Sequence, residues 1–276
     1  MKTLSVQASD YSLGQLCDIL NAAYGGYVMP VAFEPAALMQ RIQAEHIDLT
    51  QSSVFTTMQG EPAAVSIISR RGSTSRVSAL GVLPQFRGAG LGATAIEWCL
   101  AQARARNDRH QVLEVIDGNS AAMATYLRAG FRTTRRLVGY THEASGGGEQ
   151  LQMCSNLEAM AVLVSAYAKT TTWQASPLCF SAARPPLKAY CNDSRTAVAI
   201  IDAGAPIVKL LAFAVLPSVA RRGVGSCFMK SLLGAFPQRN WRVPEYFAAD
   251  DGEAFLKKTG WVLSSIKQLE MVHTLR

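Results

Sequence analysis

The feature that most constrains the fold is a segment that occurs twice. Val82-Leu83-Pro84 leads into the glycine-rich turn Arg87-Gly88-Ala89-Gly90-Leu91-Gly92, and 133 positions on, Val215-Leu216-Pro217 leads into Gly223-x-Gly225. Farther along, Gly130-Phe131 is matched by Gly260-Trp261 at an offset of 130. An offset this steady over about 50 residues marks an internal duplication. In a chain of 276 residues it predicts two lobes, 1–144 and 150–276. The run Ala144-Ser145-Gly146-Gly147-Gly148-Glu149 between them has the composition of a flexible linker.

Composition narrows the class further. An apolar fraction of 49% is too high for a disordered chain. No run reaches the roughly 20 apolar residues of a membrane helix, and the opening MKTLSVQASDYS has no signal-peptide core. Six cysteines (17, 99, 154, 179, 191 and 227) stand singly, without CxxC pairs or histidine partners, as reduced thiols do in a cytoplasmic protein. His46, His110 and His142 likewise have no partner pattern, so no metal is expected. The net charge is +7; residues 1–144 carry 13 basic and 11 acidic groups and the remainder 14 and 9, hence +2 and +5. Neither half clusters basic residues with aromatics, which argues against a nucleic-acid surface. A mild positive field suits an anionic ligand such as a phosphorylated cofactor.

Local patterns fill in each copy. Thr3–Ala8 alternates as a strand, and Ser9-Asp10 can cap a helix with Leu13, Leu16, Ile19 and Leu20 on one face. A second helix runs from Pro35 to about His46, and Ser53–Met58 with Ala63–Arg70 reads as a hairpin. Arg76–Leu83 is a further strand. After the glycine-rich turn come a helix from Ala93, a strand over Gln111–Ile116, a helix over Ser120–Ala129 stopped by Gly130, and a strand from Phe131 to His142. The order returns more loosely after the linker. A helix lies near Asn156–Ala168, an irregular stretch over Trp173–Pro186, and strands near Lys188–Asn192, Arg195–Asp202 and Ile207–Leu216.

A glycine-rich turn between a strand and a helix lets the backbone approach a ligand, and the helix offers unpaired N–H donors at its positive end. That suits a pyrophosphate; a tight turn without a ligand is the alternative. No lysine follows the turn as a P-loop requires, and Gly88-x-Gly90-x-Gly92 lacks the G-x-G-x-x-G spacing of a dinucleotide fold. The run Val82–Gly92 instead resembles the cofactor segment of the GNAT N-acetyltransferase superfamily, V-x-P-x-x-[QR]-G-x-G-x-[GA], with Arg87 at the Gln/Arg position. Asn119 through Phe131 is similar to that family's second signature, N-x-x-A-x-x-x-Y-x-x-x-G-F. The likeness covers residues 1–143 well and 150–276 in eroded form.

The resemblance implies an α/β (α+β) fold of two tandem lobes, each a mixed, mostly antiparallel twisted sheet flanked by helices. It implies an acetyl-CoA-dependent N-acetyltransferase acting on a primary amine by direct attack in a ternary complex, with no metal. Leu80, Gly81 and Val82 would pair with the pantetheine arm. Arg87, Gly88, Ala89, Gly90, Leu91, Gly92 and Ala93 would form the pyrophosphate cradle, and Asn119 would hydrogen-bond the coenzyme. Tyr126 would be the general acid; its alternative is a helix aromatic packed on the sheet. Glu114 stands where ribosomal-protein alanine N-acetyltransferases keep a base, and a water relay or a structurally paired carboxylate is equally open. The acceptor, a small molecule rather than a protein, would meet residues 21–50, with Tyr24, Tyr27, Phe33, Glu34, Glu45 and Asp48. No membrane or nucleic-acid partner is implied, and the chain would be a monomer or homodimer. A longer acyl-CoA is not excluded, and the rival reading is a non-catalytic acyl-CoA sensor. In the second copy Ala220, Arg221, Ala249 and Leu256 replace Arg87, Gly88, Asn119 and Tyr126. Leucine cannot donate a proton, so this lobe should be catalytically silent, with a structural or substrate-shaping role.

Overall fold

The computed structural model describes residues 2–27, 31–144, 147, 150–167, 171–181, 185–249 and 252–275. Residues 145–146 and 148–149 of the expected linker, Ala168 and residues 182–184 lie outside the described residues. The chain divides into two compact units, Met1–Arg135 with Leu269–Arg276, and Arg136–Gln268. Each boundary falls inside a strand rather than at the glycine-rich run. Backbone hydrogen bonding gathers strands by register, whichever side of a linker they come from.

The first unit is built from β1 (Leu4–Gln7), α1 (Leu13–Ala23), α2 (Pro35–Glu45), β2 (Ser53–Thr56), β3 (Pro62–Arg71), β4 (Thr74–Val82), α3 (Leu91–Ala105), β5 (His110–Ile116), α4 (Ser120–Arg128) and the start of β6 (Arg132–His142). Helix α1 is capped by Ser12 rather than by Ser9-Asp10. The Ser12 hydroxyl accepts from Gln15 N at 3.2 Å, and Gln15 Oε1 accepts from Ser12 N at 2.9 Å. The strand order is β1-β2-β3-β4-β5, antiparallel except for the parallel pair β4–β5. The last residues of β12 (Val262–Thr274) lie beside β5. There Met271 and Leu275 enter a core with Ile68, Ile96, Leu113 and Phe131.

The second unit takes the rest of β6, then β7 (Gln152–Met153), α5 (Asn156–Ala166), β8 (Leu187–Cys191), β9 (Ala197–Asp202), β10 (Val208–Val215), α6 (Val224–Gly234), β11 (Trp241–Ala248), α7 (Glu253–Lys258) and the start of β12. Its strand order is β6-β11-β10-β9-β8-β7, again antiparallel apart from one parallel pair, β10–β11. Among the described residues no helix is long and apolar enough to cross a membrane. The six cysteines are free, and Cys17, Cys99, Cys179 and Cys191 are buried.

What positions a site in the first unit is the parting of β4 from β5. Their pairing covers only Thr74–Val77 against His110–Leu113. On the other edge of β4 the register slips, Ile67 facing Ala79 and Ile68 facing Val77, so Ser78 is the extra residue of a β-bulge. A bulge bends its strand and raises its twist, and this one stands where β4 leaves its partner.

Candidate active site

Beyond the bulge, the free edge of β4, the glycine-rich turn and α4 enclose one cavity of about 610 Å³. Its walls include Tyr24, Tyr27, Leu80, Gly81, Val82, the turn residues, Asn119 and Tyr126. The cofactor residues expected from the sequence are thus brought together, apart from Ala89, which is not among the lining residues.

The turn is shaped as a cradle. Gly88 and Gly90 have φ of +80° and +82°, and a Cβ at either would meet nothing within 4 Å, so the backbone faces open space. Helix α3 begins at Leu91, two residues earlier than the sequence suggests, with Gly90 as its N-cap. Ala93 N–H donates to Gly90 O at 3.0 Å, so the donors aimed outward are the earlier amides, up to Gly92. Arg87 has a different task from its neighbours. Its guanidinium donates to Val82 O at 3.1 Å, Ala23 O at 3.0 Å and Gly25 O at 2.8 Å. A cation there satisfies carbonyls at the C-terminal end of α1 and ties that end to the turn. Gly81 serves the same junction: a Cβ on it would lie 2.8 Å from Ala23 Cβ and 3.3 Å from the Tyr24 ring.

Asn119 caps α4, its Oδ1 accepting from Ala122 N at 3.2 Å, which leaves the amide NH₂ for a ligand. Tyr126 sits on α4 with its ring 6.1 Å from that of Phe131. Burial, then the neighbouring Tyr24 and Tyr27, push the Tyr126 phenol well above its ordinary range, so it stays protonated at neutral pH. Burial, then Tyr27, push Tyr24 up to about 12, against opposing effects of Arg41, the Leu80 backbone and Arg76. Tyr24 packs on Tyr27 at 5.1 Å and on Phe33 at 5.4 Å.

Glu114 is placed otherwise. Both its oxygens are held by Arg76, Nε at 2.8 and 3.0 Å and Nη2 at 2.7 Å. Arg76, 3% exposed, also donates to Glu45 Oε2 at 2.7 Å and Ser78 Oγ at 3.1 Å, and Arg41 grips Glu45 from within α2. Burial alone would raise the Glu45 carboxyl, but Arg41 and Arg76 outweigh it and hold the group at about 2. None of these five residues is in the cavity wall. Sequence reading missed Arg76, because a lone arginine in a strand has no pattern that marks it. Of the remaining acidic candidates, Glu34 is exposed at the start of α2, and Asp48 accepts from Thr50 and pairs with Arg70.

Residues 15–131 match the acetyltransferase (GNAT) family. No curated protein matches the chain in sequence. Among solved structures, a GCN5-related N-acetyltransferase from Sphaerobacter thermophilus is 13% identical, with a TM-score of 0.70 over 100% of this chain and 96% of its own. A tandem GNAT protein from the clavulanic acid biosynthesis pathway is 15% identical, with 0.68 over 100% and 98%. A putative acetyltransferase from Pyrococcus horikoshii is 14% identical, with 0.65 over 100% and 89%. At these identities the likeness is one of fold.

Proposed function

From the match of residues 15–131 to the acetyltransferase (GNAT) family we propose that the chain transfers the acetyl group of acetyl-CoA to a primary amine by direct attack in a ternary complex. The observation that carries this reading is the single cavity that joins the glycine-rich cradle, the unpaired edge of β4 and the Tyr126 phenol. In this reading residues 1–144 are the catalytic copy, 150–276 are silent, and the acceptor is a small molecule. The free cysteines suit a cytoplasmic enzyme.

The residues fit the coenzyme. The amides of Gly88 to Gly92 would face the pyrophosphate at the positive end of α3. Leu80, Gly81 and Val82 would offer backbone partners along an edge that β5 has vacated, and Asn119 would offer its amide NH₂. When bound, acetyl-CoA supplies an activated thioester. Tyr126, kept protonated by its burial, would donate to the sulfur as the C–S bond breaks, so the leaving group departs as a thiol. A covalent route finds little support: the buried Cys99 thiol is pushed up to about 12 by burial and is a poor nucleophile. For the amine's proton the geometry favours a water route. Glu114 could accept it only by breaking a two-oxygen pair with buried Arg76, so we assign Glu114 the part of a strut between β4 and β5.

The test is thiol release from acetyl-CoA over a panel of polyamines, aminoglycosides and amino acids, alongside calorimetric binding of acetyl-CoA. Turnover by wild type and its loss in Tyr126→Phe, with binding retained, is the expected result. Full turnover by the variant would overturn the acid. Tight binding with no turnover on any amine would favour the acyl-CoA sensor.

A further inference from the structure

The wall behind Tyr126 is completed by the other end of the chain. Phe131, 1% exposed, stands between two rings: Tyr126 at 6.1 Å and His273, near the end of β12, at 5.5 Å. Gly130 makes the approach of His273 possible. Its φ is +89°, and a Cβ there would lie 3.0 Å from the imidazole Cε1. The glycine of the Gly-Phe pair therefore ends α4 and also admits a ring from 143 residues farther along (273 − 130).

The imidazole is approached on its other side by Arg104, whose Nη2 lies 3.4 Å from Nε2, while Nδ1 is buried without a hydrogen-bond partner. Leu275 N–H donates to Arg109 O at 2.9 Å, and Glu270 is held by Arg135 at 2.6 Å and by Thr134 at 3.2 Å. These contacts bracket His273 along the strand.

We infer that His273 is a positioning residue for Tyr126: the imidazole seats Phe131, and Phe131 seats the phenol. The arrangement has an internal counterpart. In the second unit His142 packs on Trp261 at 5.4 Å and within 3.2 Å of where a Gly260 Cβ would lie. His142 and His273 stand 131 positions apart, so they are equivalent in the duplication. Behind Trp261, however, stands Leu256 in place of the tyrosine. One packing device therefore has a consequence for chemistry in one unit and none in the other.

The inference rests on Tyr126 being the acid, and a double-mutant cycle with mirrored controls separates the two claims. His273→Ala in the full chain should lower kcat by about tenfold or more with KM for acetyl-CoA unchanged, as expected of a misaimed group. His273→Phe, which keeps a flat ring against Phe131, should recover most of that loss and folds if the alanine variant does not. In a Tyr126→Phe background His273→Ala should cause no further fall in kcat. His142→Ala should lower the thermal midpoint as His273→Ala does while leaving kcat unchanged. Without any coenzyme, NMR signals of the Tyr126 ring, identified by their loss in Tyr126→Phe, should shift in His273→Ala and not in His142→Ala. Equal losses from His273→Ala in both backgrounds, or equal losses from the two histidine variants, would overturn the positioning role. Wild-type turnover by Tyr126→Phe would instead overturn the acid, and the ring signals would still decide whether His273 seats it.

Discussion

In the first unit Gly88 and Gly90 hold φ of +80° and +82°; at the equivalent points of the second, Arg221 and Gly223 hold +63° and +85°. Both turns follow a 3-10 turn, Pro84–Phe86 and Pro217–Val219. Both lie beyond a bulge, at Ser78 in β4 and at Leu211 in β10, again 133 positions apart. The parallel pair opens early in each: after Val77 in one, after Lys209 in the other. Arginine holds a left-handed conformation at a cost of about 1 kcal/mol, so the turn has kept its shape after losing one of its glycines.

What differs is the space in front. A Cβ on Gly92 would meet only Val82, at 3.9 Å, whereas one on Gly225 would meet Val215 at 3.2 Å and the Phe255 ring at 3.3 Å. Phe255 stacks on Phe213 at 5.2 Å, and Phe213 on Phe228 at 5.6 Å. Gly81, which lets α1 close on β4, is matched by the buried Ala214. The cavity left in the second unit, about 380 Å³, is walled largely by Leu210, Phe213, Val243, Phe247, Phe255 and Leu256. The bulge, the turn and the parting strands persist because they are part of how the sheet folds. The proposed chemistry depends on a few side chains that the sheet does not need.

That contrast can be broken or sharpened by substitution. The largest effect should come from Tyr126→Phe: kcat falls by about 10²–10⁴-fold, while Leu256→Met at the matching point leaves steady-state turnover unaltered. Next, Arg76→Met removes the arginine that holds the buried Glu114 carboxylate and one of the partners of Glu45, and should cost about 3–5 kcal/mol in urea unfolding. Adding Glu45→Gln and Glu114→Gln should return much of it, which a catalytic-base role for Glu114 does not predict. Gly81→Ala should cost about 1–3 kcal/mol by overpacking against Ala23 and weaken acetyl-CoA binding by calorimetry. Its mirror, Ala214→Gly, should leave that binding intact. The smallest effect is an acid one. Glu45 is held at about 2 against an ordinary 4.5, so it stabilises the fold above pH 4.5 and that contribution is lost as pH falls toward 2. Glu45→Gln should flatten this part of the stability profile.

Much of the site was legible in the sequence because its parts are local. A strand, a glycine turn and a helix start lie within eleven residues, Val82 to Gly92, and each has a backbone reason to be where it is. Asn119 and Tyr126 were legible for the same reason, being a helix cap and a position on that helix. Arg76, Glu45 and Glu114 were not readable as a cluster, since Arg76 stands 31 positions from Glu45 and 38 from Glu114. Strand register sets Arg76 beside Glu114, and the packing of α2 brings Glu45 to them. Glu114 shows the limit well: its place on β5 and its polar face were readable, its partner was not.

The sequence alone determined that this chain carries two copies of one α/β plan, that the first has the full glycine-rich turn and Tyr126, and that the second keeps two of the turn glycines but has Leu256 where the tyrosine stands. Tertiary structure decided which strands complete which unit. It tied Arg87 to the carbonyls at the end of α1 and Glu114 to Arg76, and it brought His273 behind Phe131. The physical reason is one of range. Turn and cap preferences act within a few residues, whereas strand register and ring packing are settled between segments that meet only after the chain has folded.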